Sequence, residues 1–172
     1  AHPVTAPLFL HKISRRQVRQ YKRRERISLG AGDVIVCVDE SGSTEFDDKD
    51  AWAKAIAYAL VDKVGSQGRC ASVIHFSSAS EVSEDLFIPG QYTSEDVMNS
   101  ARHFYCGGTN YEAPLRKAVS TLDSGVLSKA DIVFITDGQC SISSVFQDWL
   151  CAKLSEHHAS ITGVLLDSGN NF

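Results

Sequence analysis

No apolar run in this chain approaches the roughly 18 residues of a membrane-spanning helix, so none is expected. The first residues show neither the charged start nor the apolar centre of a secretory leader. Cysteine is present but unpatterned. Cys37, Cys70, Cys106, Cys140 and Cys151 are odd in number and irregularly spaced, which argues against a disulfide framework and for a reducing, cytoplasmic setting. A G-x-S-x-G elbow and a G-x-x-x-x-G-K-[ST] phosphate loop are also missing. The pair His157-His158 lacks cysteines at zinc spacing and reads as a solvated helix end. What remains is an ordinary globular composition of 172 residues, 43% hydrophobic and 22% charged, enough for one domain with a sizeable core.

Charge is unevenly placed. The formal net charge is −4, yet residues 1–32 hold eight basic residues and one acid, leaving nine basic against twenty acidic residues in the remainder. The chain therefore divides into a basic N-terminal extension or connector, 1–32, and an acidic body, 33–172. A basic arm can serve nucleic acid, but Tyr21 is the one aromatic among the basic residues of segment 11–27, thin support for base stacking. The expected role is a connector helix paired with its own acidic domain, with no nucleic-acid or membrane partner.

The body alternates strands with helices. Val34–Val38 is a continuous apolar run, as in a strand covered on both faces. A helix follows over about 50–65, carrying Trp52, Ile56, Leu60 and Val64 four apart with Ala53, Ala57 and Val61 beside them. Ala71–Phe76 is a second apolar strand. Glu81–Ile88 alternates instead, with Val82, Leu86 and Ile88 on one face, which suits a half-exposed edge strand ended by Pro89-Gly90. Thr93 or Ser94 caps a helix to about 103, and Pro114 places the start of the next near Glu112. A strand over Asp131–Thr136, a helix over about 143–157 behind Val145, Phe146, Trp149, Leu150 and Leu154, and a strand over Ser160–Leu166 complete the pattern. This order predicts an α/β, Rossmann-like three-layer sandwich: a mostly parallel sheet, one antiparallel edge strand, and helices on both faces. Ligands of such sheets bind beyond the carboxyl ends of the strands.

Two aspartates stand at such ends. Asp39 opens Asp39-Glu40-Ser41-Gly42-Ser43-Thr44, and Asp137 closes Ile132–Asp137 before Gly138. Thr109 follows the Gly107-Gly108 pair in mid-chain. Two carboxylates and three hydroxyls suit a hard divalent cation, which takes oxygen ligands and keeps several waters. Mg²⁺ is expected, with Mn²⁺ or Ca²⁺ as substitutes. Taken singly, each residue has a plainer role. Asp39, Ser41 and Ser43 could be turn residues, Thr109 a helix cap, and Asp137-Gly138 an ordinary turn.

In this order, D-x-S-x-S, G-G-T and T-D-G resemble the metal-ion-dependent adhesion site (MIDAS) of the von Willebrand factor A domain, over about residues 33–167. The resemblance implies that Ser41 and Ser43 ligate the metal directly, and that Thr109 does so directly or through water. Asp39 and Asp137 would act through waters and by orienting hydroxyls. It also implies that an acidic side chain of a partner fills the open position. Thr44 departs from the family, which often has Met there. A narrower likeness is to bacterial ViaA and CoxE-type A domains, which accompany MoxR-type AAA+ ATPases; it makes such an ATPase the expected partner.

The expected function is thus a non-enzymatic, metal-dependent protein-interaction module. The alternative is a phosphoester hydrolase using the same cation. Apart from His75, at a strand end, the motif loops hold no general base and no phosphate-gripping Lys or Arg. An Asp39–His75–Ser41 triad is possible on spacing, but a strand histidine with a backbone partner is the preferred reading. Cys140 is expected to have no chemical role.

Overall fold

The computed structural model describes residues 32–127, 129–138 and 140–166; the basic residues of the N-terminal extension lie outside them. Five strands form one sheet. They are β1 (Val34–Asp39), β2 (Ala71–Phe76), β3 (Val82–Phe87), β4 (Asp131–Thr136) and β5 (Ile161–Leu165). Their spatial order is β3-β2-β1-β4-β5, with every pairing parallel except β2–β3. The three-layer α/β sandwich with one antiparallel edge strand is therefore present.

The helices are α1 (Lys49–Gly65), α2 (Ser94–Arg102), α3 (Glu112–Asp123) and α4 (Ser144–Glu156). A short 3₁₀ segment, Gly42–Asp48, leads into α1. β1 occupies the centre and every one of its residues is buried, as its unbroken apolar run requires. Side-chain alternation divides it between two cores. Val34, Val36 and Val38 meet Ala53, Ala57, Val61 and Val64 of α1. Ile35 and Cys37 face Leu115, Ala118 and Val119 of α3 and Phe146, Leu150 and Leu154 of α4.

The helix ends follow local chemistry. Thr93 and Asp96 form a reciprocal capping box at the start of α2, and the Ser143 hydroxyl accepts from the Phe146 N–H at the start of α4. Pro114 lies in the first turn of α3, where its missing N–H costs nothing.

In three elements the structure chooses which of the apolar residues face inward. On α1 the small residues Ala53 and Ala57 meet the sheet, while Trp52 is 65% exposed. Small side chains let the helix backbone approach the strands, and the bulky indole has no room beneath it. On β3, Phe87 is buried and Leu86 exposed, because Phe87 packs edge-on against Tyr58 and Tyr92. On α4, Val145 is exposed, leaving Phe146 as the buried residue of that turn.

The chain leaves β1 towards β2 and later returns to β4 on the other side. Between β1 and β4 the strand order reverses, and the carboxyl ends there open a crevice. The register Val38↔Ile135 brings Asp39 level with Thr136 and next to Asp137.

Candidate metal centre

Asp39 ends β1 at 1% exposure. Its Oδ1 accepts the Ser41 N–H at 3.0 Å and its Oδ2 accepts the Thr136 hydroxyl at 2.6 Å. The first bond folds the chain back over the strand end; the second ties β1 to β4. Thr136 also accepts from the Gly138 N–H. Because its single proton goes to Asp39, the Tyr111 hydroxyl, 2.5 Å away, must be the donor of their bond. A directed chain, Tyr111 to Thr136 to Asp39, thus fixes the carboxylate. Burial pushes the Asp39 carboxyl above its ordinary pKa, the bonds from Ser41 and Thr136 oppose this, and the nearby charge of Asp137 adds to the rise.

The Ser41 and Ser43 hydroxyl oxygens lie 3.1 Å apart. Adjacent ligands of an octahedral Mg²⁺ bound at about 2.0–2.1 Å stand about 3 Å apart, so the pair is spaced for one ion. Thr44 is fully buried. Its hydroxyl donates to the Ser41 carbonyl at 2.7 Å, so the polar residue holds the turn closed.

The Thr109 loop is fastened to this turn by backbone bonds. Cys106 N–H donates to the Glu40 carbonyl and Gly42 N–H to the Gly107 carbonyl, at 3.0 and 2.9 Å. Ser77 secures the other side: its hydroxyl accepts from Gly107 N–H and donates to the Gly108 carbonyl, and its carbonyl accepts from Asn110 N–H. A Cβ at Gly107 would stand 2.8 Å from the Ser77 hydroxyl and would also meet Glu81, which accounts for glycine there. The Asn110 side chain accepts from Ala113 N–H at the start of α3. The helix-capping role is thus taken by Asn110, not Thr109.

Asp137 is the exception to all this bonding. Its side chain is 1% exposed, yet among the described residues neither carboxylate oxygen has a hydrogen-bond partner. Lys49 Nζ stands 3.9 Å from Oδ2, too far for a hydrogen bond. A buried carboxylate normally has hydrogen bonds, a close ion pair or a metal. The donor set fits a hard divalent cation.

Sequence reasoning did not find Thr136, Ser77, Tyr111 or Lys49 as parts of the centre. Thr136 could have been found from its place before Asp137; the others carry no local signal. His75 does not join Asp39 and Ser41: its Nδ1 faces Glu40 at 2.7 Å and its Nε2 faces Ser100 at 3.0 Å. Cys140 donates weakly to the Thr109 carbonyl, and all five cysteines are free thiols. No helix among the described residues is long and apolar enough to cross a membrane.

The family model for the von Willebrand factor type A domain matches residues 34–139. The chain belongs to this family. Such A domains commonly serve as metal-dependent protein-interaction modules. Two uncharacterized proteins of the archaeon Methanocaldococcus jannaschii are 33% and 26% identical to this A domain, over 92% and 93% of the chain. The chain spans 39% and 36% of their lengths. Among solved structures, a von Willebrand factor type A protein from Catenulispora acidiphila superposes with a TM-score of 0.56 at 16% identity. It covers 76% of this chain and 32% of that one. An aerotolerance-related membrane protein from Bacteroides fragilis gives 0.57 at 18% identity, covering 81% and 75%. At these identities the two structures speak for the fold alone.

Proposed function

We propose that this A domain is a non-enzymatic interaction module that grips an acidic side chain of a protein partner through Mg²⁺. Asp39, Ser41, Ser43, Thr109 and Asp137 would hold the ion, and the ion would supply the positive charge that a partner's carboxylate needs there. The observation that carries this reading is the Asp137 carboxylate, buried beside Asp39 at the carboxyl end of the sheet and without a hydrogen bond among the described residues. The bonds from Tyr111, Thr136 and Ser77 support it, since they fix the site before any ligand arrives. Against hydrolysis stands the commitment of His75 to Glu40 and Ser100, which takes the nearest base away from Ser41.

On the narrower likeness to ViaA and CoxE-type proteins, the partner is a MoxR-type AAA+ ATPase and the setting cytoplasmic. Calorimetric titration with Mn²⁺ tests the site, with Asp39→Ala expected to abolish binding and keep the fold. Unchanged affinity in that variant refutes the assignment. Pull-down of a co-encoded AAA+ ATPase should fail in EDTA and recover with Mg²⁺; a complex indifferent to EDTA and to Ser41→Ala refutes the carboxylate grip.

A further inference from the structure

A second cluster lies behind the first. Alternation along β1 puts Glu40 on the opposite side of the strand from Asp39, on the α1 face with Val34, Val36 and Val38. There its fully buried carboxylate meets two imidazoles, with His75 Nδ1 2.7 Å from Oε1 and His103 Nδ1 2.8 Å from Oε2. One ligand atom from each of Glu40, His75 and His103 lies within 4.8 Å of the others.

The protons around His75 can be assigned from its neighbours. The Ser100 hydroxyl donates to Asp85 Oδ2 and accepts from the Tyr58 hydroxyl. Its only proton is thereby committed, and the Asp85 carboxylate, 3.3 Å from His75 Nε2, can only accept. His75 Nε2 must therefore carry the hydrogen. In the neutral ring this leaves Nδ1 with a bare lone pair pointed at the Glu40 carboxylate, two acceptors face to face. A metal cation between them would satisfy both.

We propose that Glu40, His75 and His103 form a second cation site, for a divalent transition metal of the Zn²⁺ or Co²⁺ class, separate from the oxygen-lined centre at Asp39. Imidazole and carboxylate are the donors such ions prefer, whereas Mg²⁺ prefers oxygen alone. Ligands at about 2.0–2.1 Å around a tetrahedral ion stand about 3.3 Å apart, so each imidazole nitrogen need draw back from its carboxylate oxygen by about half an ångström, within a set whose three ligand atoms already lie inside 4.8 Å. His75 has the outer partner that ligating histidines use, an N–H directed at a hydroxyl and a carboxylate. Lys54 stays beyond hydrogen-bond distance of Glu40, at 3.7 Å, with its ammonium on the His103 carbonyl. The His103 side chain is 35% exposed, which gives the ion a way in and leaves room for water as a further ligand. An ion there would join β2, the turn after β1 and the end of α2.

The test uses the full chain, stripped with EDTA and returned to saturating Mg²⁺ so that the Asp39 centre is filled. Zn²⁺ is then titrated by calorimetry and Co²⁺ by visible absorption. One equivalent should bind. His103→Ala, at a half-exposed helix end, should weaken Zn²⁺ at least tenfold, and Asp85→Asn by about 10- to 100-fold. Mn²⁺ binding at Asp39 should be unchanged in both, and Zn²⁺ binding unchanged in Asp137→Asn. Absence of Zn²⁺ binding overturns the proposal. Equal Zn²⁺ affinity in His103→Ala puts the ion elsewhere and also overturns it, as does loss of Zn²⁺ in Asp137→Asn. A chain that binds Zn²⁺ as described but no Mn²⁺ refutes only the Asp39 reading.

Discussion

Replacing Asp137 by Asn separates the metal from the fold. At 3.9 Å the Lys49 ammonium attracts the carboxylate by about 4 kcal/mol at an effective dielectric near 20. Removing a carboxylate from water costs several kcal/mol, and among the described residues no hydrogen bond offsets that cost. The two terms nearly cancel, so Asp137→Asn should change the stability of the metal-free protein by no more than about 1 kcal/mol. Metal breaks the symmetry. At a Mg²⁺ concentration about 100 times Kd the native protein gains about 2.7 kcal/mol, a rise of roughly 10 °C in Tm for a domain of this size. The Asn variant should gain almost nothing. Thermal unfolding of both proteins, in EDTA and across a Mg²⁺ series, measures all four corners. An equal Mg²⁺-dependent rise in the variant would refute the centre. A loss of several kcal/mol in EDTA would show instead that the Asp137–Lys49 pair is a structural ion pair.

Three further outcomes are expected. Thr136→Val removes the 2.6 Å bond to Asp39 and leaves a buried acceptor unmet; denaturant unfolding should show a loss of about 1–3 kcal/mol, and Mn²⁺ affinity should drop about 10- to 100-fold. Gly107→Ala should lower Tm and weaken Mn²⁺ binding, because its Cβ presses on Glu81 and on the buried Ser77 hydroxyl that holds the Thr109 loop; calorimetry with native affinity would show that this loop gives way freely. Burial would raise the Glu84 carboxyl, but bonds from Lys117, Thr121 and Ser72 outweigh it and hold the pKa below the ordinary value. A lowered folded-state pKa means stability present above the ordinary carboxylate pKa and lost as pH falls through the lower one. Urea midpoints from neutral to acid pH should fall less steeply in Glu84→Gln than in the native chain.

The element order was legible because each strand announces itself locally. Val34–Val38 and Ile132–Ile135 are too apolar for anything but a strand covered on both faces, and Pro114 and Thr93 mark helix starts by their own backbone chemistry. The five metal candidates were proposed from the order D-x-S-x-S, G-G-T and T-D-G, which resembles the adhesion-site motif. Asp39, Ser41 and Ser43 lie on one turn, and Thr109 and Asp137 each sit at a loop or strand end, so matching that order needed no knowledge of distant contacts. Which side of an element faces inward was less legible. Periodicity allowed Trp52 or Ala53 on the buried face of α1, and only the distance to the sheet chose alanine. Tertiary structure alone decided the bonds that join sequence-distant groups: Thr136 to Asp39 across 97 residues, Ser77 to the Gly107 loop across 30, and Glu40 to His75 and His103 across 35 and 63. Strand order and register set those contacts. Neither is written in any one segment, because a strand's pattern states that it must be covered and not which strand will lie beside it.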